Sequence, residues 1–393
     1  MKASIWKDLI VVAVIITLAY FFLFHTVKDI IKRHDIESSN LNMNFIGKNK
    51  GDYVFSRAIS MNDGSILIAS SLMNKPGTIS LIKLNPNLQI NWEKVISDPA
   101  KETRREKNKS FLKIEDIKVS GENIRIFAID ETYPRFAPVF ITTDLNGNLL
   151  HYILIPHAVN SNTAARGILL GDSAYFTWFD HNNKLLSIYK LLWNDPKFLE
   201  KHIAYLINDH PRFTGICSDT VHQYINMTTY DSRKGSSLFA YSDSVGLNIT
   251  NETNPDQELQ LVRFIDSKLH VVDTKDSSVV VGVVHSRKEA DKILDFKIST
   301  NDFAPHVLAK NGDYYYIGID QKVPSKKSVN GDIFIYKYSE NNRKLGEFHI
   351  GGKSDDELSQ LIFTPDGYIL AIGNSDSHHY GVGWRLFATK FKL

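Results

Sequence analysis

The chain has 393 residues, of which 43% are hydrophobic and 23% are charged, and this balance excludes an intrinsically disordered protein. The formal net charge is only +2, which gives no overall attraction to nucleic acid, so we expect no nucleic-acid partner. Because the chain has one cysteine, Cys217, no disulfide framework can form within it. Strand or helix packing must therefore hold the fold together.

The first feature along the chain is an uncharged apolar segment, residues 9–24, with the sequence LIVVAVIITLAYFFLF. Extended to residue 27, it would form a helix of about 28 Å, close to the roughly 30 Å thickness of a bilayer's hydrocarbon core. Small residues typical of a signal-peptide cleavage site are missing. We therefore expect an uncleaved signal-anchor helix over residues 1–27, which contacts the membrane through residues 9–27. A cleaved signal peptide is the alternative.

The anchor predicts where the rest of the protein lies. A polar segment, residues 28–40, reads as a linker between the anchor and the following domain. The short N-terminal tail would be cytoplasmic, and the bulk of the chain would be extracytoplasmic. In a Gram-negative bacterium that compartment is the periplasm.

The rest of the chain repeats one pattern, in which an apolar strand follows a polar turn and leads into a hairpin rich in Gly, Asn, Asp and Ser. Copies begin near Arg57, Ile114, Ala164, Phe213, Gln260, Ala304 and Leu358. Four strands per unit, repeated every 50 or so residues, are typical of a β-propeller. We therefore expect an all-β fold, a seven-bladed β-propeller over residues 41–393; six or eight blades would also fit.

The two ends of this domain complement each other. Residues 388–393, ATKFKL, match the third strand of a blade, and no fourth strand follows them. Residues 40–46, NLNMNFI, are similar to the fourth-strand segment NLQINWE at 87–93. We expect residues 41–47 to complete the last blade, because pairing the termini removes an open sheet edge.

Three stretches resemble a known family: ISLIKLNPNLQINWEK (79–94), TTDLNGNLLHY (142–152) and GGKSDDELSQLIFTPDGYILAIGNS (351–375). They resemble repeats of the quinoprotein-like β-propeller superfamily. That superfamily includes pyrroloquinoline-quinone enzymes and non-enzymatic scaffolds, such as the lipoprotein propeller of outer-membrane barrel assembly. The resemblance implies the fold and leaves the function open, because one fold supports many functions. The calcium and cofactor ligands of quinoprotein dehydrogenases are missing, so no cofactor is expected.

One loop and one charged segment contain candidate site residues. In the loop NSDSHHY, Asp376, His378 and His379 offer a carboxylate and two imidazoles to a metal ion, although solvated loop residues are the simpler interpretation. The segment KETRREKNK could dock an acidic partner or lipid headgroups, or be a solvated loop. Its candidate partner-binding residues are Lys101, Arg104, Arg105, Lys107 and Lys109.

The sequence contains no nucleophile elbow, phosphate-binding loop, metalloprotease motif or dinucleotide-binding fingerprint, so no catalytic residue is assigned. We expect a membrane-anchored scaffold that binds or assembles proteins. The alternative is an enzyme, such as a hydrolase, a lyase or a quinoprotein-like oxidoreductase, with its site at the mouth of the propeller channel. A ligand-sensing module that signals through the anchor is the third hypothesis.

Overall fold

The structure is a computed structural model, and it describes most of the chain from residue 44 onward. The described residues are 17, 19–21, 44–47, 53–73, 75, 77–99, 112–132, 135–155, 166–180, 185–193, 195–206, 212–219, 224–231, 235–242, 246–252, 258–275, 277–284, 290–298, 303–324, 329–351, 355–376 and 383–393. Residue 17 and residues 19–21 are helical. Within the described part of the chain, no helix has the length and apolar character needed to cross a bilayer. Most of the expected anchor and all of the expected linker lie outside the described residues.

Within the described residues, the strands form seven four-stranded antiparallel sheets, numbered here as sheets 1–7 along the chain. Strand β1 (Phe45–Ile46) comes first and joins sheet 7. Sheet 1 contains β2 (Tyr53–Ser60), β3 (Ile66–Leu72), β4 (Thr78–Leu84) and β5 (Ile90–Ser97); sheet 2 contains β6 (Leu112–Ser120), β7 (Asn123–Thr132), β8 (Arg135–Asp144) and β9 (Leu149–Leu154). Sheet 3 contains β10 (Arg166–Leu170), β11 (Ser173–Asp180), β12 (Leu185–Leu192) and β13 (Asp195–Leu206); sheet 4 contains β14 (Arg212–Asp219), β15 (Tyr224–Asp231), β16 (Gly235–Ser242) and β17 (Gly246–Glu252).

The remaining sheets follow the same order. Sheet 5 contains β18 (Glu258–Ile265), β19 (Lys268–Lys275), β20 (Ser278–Val284) and β21 (Ala290–Lys297); sheet 6 contains β22 (Phe303–Asn311), β23 (Tyr314–Pro324), β24 (Val329–Ser339) and β25 (Lys344–Ile350). Sheet 7 contains β26 (Asp355–Phe363), β27 (Ile369–Asp376) and β28 (Trp384–Phe391), with β1 as its fourth strand. The first strand of each sheet contacts the first strand of the next sheet, and β26 contacts β2, so the sheets form a closed ring.

The turns explain why each strand doubles back on its neighbour. Between β2 and β3, the Asp63 carboxylate accepts a 2.9 Å hydrogen bond from the Ser65 amide, and Gly64 has a φ of 75°. Between β8 and β9, the Asp144 carboxylate accepts bonds of 2.9 and 2.8 Å from the amides of Asn146 and Asn148. Such side-chain bonds stabilise the turn locally, and glycine adopts a positive φ without steric cost.

The hydrophobic core lies between the sheets, because each sheet packs against a neighbour on both faces. All seven residues of β3 are buried, whereas β5, on the outside of the ring, has seven half-buried or exposed residues and one buried residue, Ile96. A strand with two covered faces needs apolar or small residues at every position. This requirement explains the run ILIASSL in β3.

Sheet 7 joins the two ends of the described chain. Phe45 and Ile46 pair with Phe387 and Leu386 of β28, and the Ala388 amide donates a 2.9 Å hydrogen bond to the Asn44 carbonyl. Ile46 is 7% exposed and packs into a core cluster that also contains residues of sheet 1. The short N-terminal strand therefore contributes to the packing between the first and last sheets.

Asn374 also links sheets 7 and 1. Its amide nitrogen donates a 2.8 Å hydrogen bond to the Tyr53 carbonyl, and its amide oxygen accepts a 3.1 Å bond from the Ser56 hydroxyl. Asn374 is 1% exposed. Because buried polar groups are costly unless they are hydrogen-bonded, this amide stabilises the contact between the two sheets.

Candidate ligand-binding channel

Of the candidate site residues predicted from the sequence, the structure describes only Asp376. Asp376 ends β27, where its backbone pairs with Asp355 and Trp384. His378, His379 and the five basic residues Lys101, Arg104, Arg105, Lys107 and Lys109 lie outside the described residues. Among the side chains that the structure does describe, no group of three His, Cys, Asp or Glu residues could hold a metal ion. Both candidate sites stay predictions.

The first strands of the sheets line the centre of the ring, and most of them contain a β-bulge. Register shifts occur in the pairing of β2, β6, β14, β18, β22 and β26 with the next strand. A bulge leaves one residue unpaired and turns its side chain in a new direction. The unpaired positions include Glu115, Gln260, His306 and Ser359.

These four residues line one cavity, which we call the polar chamber. Its volume is about 360 Å³. It is lined by residues from the first strand of every sheet, and its charged or ionisable side chains are Arg57, Lys113, Glu115, Arg166, Arg263, His306 and Glu357. A second cavity of about 390 Å³ shares Arg57, Glu115 and Arg263 with the polar chamber and is also lined by Ile59 and Leu361. The two cavities share this lining and form one channel, and the second cavity is also lined by the charged residues Asp116 and Lys118.

Glu115 is the most buried acid of the polar chamber. Its side chain is 3% exposed, and its two carboxylate oxygens lie 3.0 and 3.3 Å from Nη1 of Arg166. Lys113 Nζ is 3.4 Å from the same carboxylate. The charge of Glu115 is therefore already paired with two cations, as a carboxylate so buried requires.

Arg57 and Arg263 have a different environment. Arg57 donates hydrogen bonds of 3.2 Å to the Glu115 carbonyl and 3.0 Å to the Ser56 carbonyl, and Arg263 donates one of 3.0 Å to the Val262 carbonyl. Among the described residues, no carboxylate lies within ion-pair distance of either guanidinium. Burial lowers the pKa of Arg263, and the positive charge of Arg57 acts in the same direction.

His306 faces the same chamber and contacts an acid behind it. Its Nε2 atom lies 3.0 Å from Oδ2 of Asp320, and the other oxygen of Asp320 accepts a 3.2 Å bond from the Leu358 amide. Burial lowers the pKa of His306 to about 4 and raises the pKa of Asp320 well above its usual range. Both shifts favour the uncharged forms of the pair, a neutral imidazole and a protonated carboxyl group.

Glu357 adds a second acid beside this pair. Burial raises the pKa of Glu357, while the positive charges of Arg57 and Lys113 oppose the shift. The pKa of Asp320 is raised further by the charge of Glu357. The chamber is lined by four basic side chains and two carboxylates, so its lining carries a net positive charge when all six are ionised.

The comparisons with known proteins give the fold and no closer relationship. No protein-family model and no curated protein sequence matches the chain. Among solved structures, U3-55K superposes with a TM-score of 0.55 at 10% identity, covering 90% of this chain and 98% of that chain. The extracellular domains 1–2 of Drosophila Semaphorin 1a superpose with a TM-score of 0.52 at 12% identity, covering 89% and 88%. A chain of the S. cerevisiae core factor gives 0.53 at 11% identity, where the match covers 88% of this chain but 60% of that chain.

The fold is an all-β β-propeller. This confirms the fold class expected from the repeats, and the structural neighbours are propeller-type domains. At 10–12% identity these neighbours show the fold alone. No match supports the more specific resemblance to quinoprotein-like propellers.

Sequence analysis missed the residues of the polar chamber. A signal was present: near several repeat starts, a polar residue interrupts an apolar strand, as in Leu259-Gln260-Leu261 and Pro305-His306-Val307. If the bulges are not known, this pattern indicates an ordinary half-exposed strand, in which apolar and polar residues alternate. Only the register shifts show that they turn toward one cavity.

Proposed function

We propose that the protein is a membrane-anchored, extracytoplasmic β-propeller that acts as a protein-binding or assembly scaffold. Support for the anchor comes from the apolar residues 9–27. Support for binding comes from the polar chamber, which is the single observation that carries the proposal. The chamber collects side chains from every sheet on strands that closed packing holds in place, and a rigid concave site of this kind is suited to recognition.

The chamber offers a partner specific contacts. Lys113 and Arg166 have side chains that are 21% and 25% exposed, so part of the chamber is open to solvent. A segment of a partner protein could place one or two side chains there, while the surrounding rim excludes water. The remaining contacts would come from the loops around the channel.

Site-specific crosslinking in the native membrane tests the binding role. A photoreactive residue replaces Ser359, which lines the chamber, and a matched one replaces Ser97, which is exposed on the outermost strand of sheet 1. We expect a discrete crosslinked protein from position 359 and none, or a different one, from position 97. Catalytic turnover of a substrate, with no protein crosslink from either position, would reject the scaffold role.

Cysteine labelling tests the location. The native Cys217 is buried, so a new cysteine at Asp366, in an exposed turn, should be the main site of reaction. We expect a membrane-impermeant maleimide to label D366C in intact cells. Labelling only after the cells are broken would reject the extracytoplasmic placement.

The alternative function is an enzyme that uses the same chamber. The observation favouring it is the His306–Asp320 pair beside Glu357, because shifted acid and base groups that meet in a cavity can transfer protons. A reaction abolished by His306→Ala, at unchanged melting temperature, would support this alternative over the scaffold.

A further inference from the structure

We propose that the polar chamber binds a compact oxyanion, a carboxylate or phosphate group, between the guanidinium groups of Arg57 and Arg263. The inference rests on the proposed role of the chamber as the ligand site, and it names the chemistry of the group that enters. It would hold for a free small anion and for an acidic group at the tip of a larger partner.

The charges in the lining of the chamber are unbalanced. Four basic side chains line the chamber, against two carboxylates. One of these carboxylates, Glu115, lies within 3.4 Å of both Lys113 and Arg166, so it is already neutralised. The charge of the other, Glu357, is opposed by the charge of Arg57. With four cations against two carboxylates, the lining keeps a net positive charge, which attracts an anion.

Arg57 and Arg263 have more hydrogen-bond donors than the backbone carbonyl groups around them accept. A guanidinium has five N–H donors. Arg57 uses two of them and Arg263 one, all on backbone carbonyl oxygens. Among the described residues, no carboxylate accepts a hydrogen bond from the remaining donors, although both side chains are half-buried. An oxyanion would accept those donors in the bidentate geometry that arginine favours.

Two arginine side chains at one cavity also cost folding free energy. Burial and the charge of Arg57 disfavour the charged form of Arg263, and Cys217 and Asp116 oppose this shift without cancelling it. No carboxylate of the described residues forms an ion pair with Arg57 or Arg263, so a bound anion would offset a cost in folding free energy that these more distant groups leave. A ligand with negative charge explains their presence.

The volume of the chamber and the charge state of His306 limit which ligands fit. A cavity of about 360 Å³ lies at the lower end of the range for small-molecule sites, so a phosphate group or a short dicarboxylate fits and a large polyanion does not. His306 is uncharged near neutral pH because burial lowers its pKa to about 4. It can therefore contribute a hydrogen bond without opposing the anion.

Binding is measured on the purified full-length chain in detergent by calorimetry and by thermal unfolding. The probes are inorganic phosphate and succinate, each compared with chloride at the same ionic strength. We expect at least one oxyanion to bind with a one-to-one stoichiometry and to raise the melting temperature by about 2–4 °C at saturation, while chloride does not. A preference for phosphate or succinate identifies which kind of oxyanion the site takes. Equal stabilisation by all three salts would mean charge screening alone and would overturn the proposal.

The decisive variant is Arg263→Met, with Arg343→Met as the matched control on an exposed turn. R263M should raise the dissociation constant at least tenfold, and its melting temperature without ligand should stay the same or rise, because a buried like charge is removed. A purely structural arginine would show the opposite, namely a lower melting temperature with the anion effect intact. R343M should bind as the parent protein does. If R263M does not fold, Arg263→Lys keeps the charge but not the forked geometry, and unchanged affinity in R263K would contradict the proposal.

The two proposals can fail separately. If R263M loses the oxyanion but keeps the crosslinked partner at position 359, the anion site stands and the partner does not use it. If R263M loses the crosslinked partner at position 359 and the parent protein binds no oxyanion, the chamber recognises its partner through a different chemical group.

Discussion

The short strand β1 should be essential to the stability of sheet 7, and Ile46→Ala tests this. The side chain is 7% exposed and belongs to a core cluster that includes Leu386 and Ala388. Truncation removes three methyl or methylene groups at about 0.8 kcal/mol each, and residual cavity adds to this. Because an outer strand can partly relax, we expect a loss of about 2–4 kcal/mol in the free energy of unfolding.

Denaturant unfolding measures the total loss, and hydrogen exchange locates it. In the folded protein the Ala388 amide donates to the Asn44 carbonyl at 2.9 Å. If I46A detaches β1, that amide should exchange much faster, because only two residues of β1 pair with β28. Amides in sheet 5, away from the closure, should keep their protection.

Ile96→Ala is the matched control. Ile96 lies on β5, another outermost strand, and is 3% exposed. It should cost a similar free energy of unfolding without accelerating exchange at Ala388. The reasoning is refuted if I46A loses less than about 0.5 kcal/mol and the Ala388 amide stays protected.

Three further predictions concern buried groups. Asn374→Ala should lower the free energy of unfolding by about 1–3 kcal/mol, because the buried Tyr53 carbonyl loses its 2.8 Å bond; denaturant unfolding measures this. Gly167→Ala should cost about 3 kcal/mol or more by the same assay, because the new Cβ would lie 1.8 Å from Phe127 Cε1. The free energy of unfolding of the parent protein, relative to that of Asp320→Asn, should fall as pH rises above about 4, because folded Asp320 keeps a proton that the unfolded chain releases. Unfolding measured across a pH series, with and without Asp320→Asn, tests this.

Asn374→Ala and Gly167→Ala each have a matched control variant. Asn87→Ala, at an exposed turn position, should change stability by less than about 0.5 kcal/mol, and an equal effect of N374A would contradict the bridging role. Gly171→Ala meets no atom within 4 Å and has a φ of +57°, so it should cost only about 1 kcal/mol from backbone strain. A G167A variant no less stable than G171A would show that the close approach is relieved elsewhere.

The sign of the pH effect depends on both members of the pair. Asp320 has a raised pKa, so its contribution to stability is present below about pH 4 and is lost as pH rises through the folded value. His306 has a lowered pKa, so its contribution is present above about pH 6.5 and is lost as pH falls toward about 4. The two oppose each other between about pH 4 and 6.5. D320N removes the Asp320 contribution, so the stability of the parent protein relative to D320N should decline as pH rises above about 4. A difference between the two proteins that does not change with pH would assign the effect to other groups, such as Glu357.

The polar chamber links stability and function. Arg57 and Arg263 lie at one cavity without a carboxylate partner in the described part of the chain, which costs folding free energy. Proteins commonly keep such costs at sites where a ligand offsets them. The melting temperature without ligand and the affinity for oxyanions should therefore change in opposite directions in R263M.

The sequence by itself determined the local elements. Alternating apolar residues predict the strands, and Asp-Gly or Asn-Gly turns such as Asp63-Gly64 predict where they reverse. Six of the seven repeat starts identified in the sequence fall within the first strand of a sheet, and the seventh, near Ala164, lies outside the described residues. Local propensity and turn chemistry act over a few residues, so a single sequence is enough to show them.

Only the tertiary structure decided which side chains meet. Arg57, Arg166 and Arg263 are about a hundred residues apart from one to the next along the chain, and ring closure brings them to one cavity. Their direction depends on bulges that shift the register of the first strands, and a bulge leaves no clear mark in the hydrophobic pattern. The chemistry of the channel follows from long-range closure and from register, neither of which a local pattern contains.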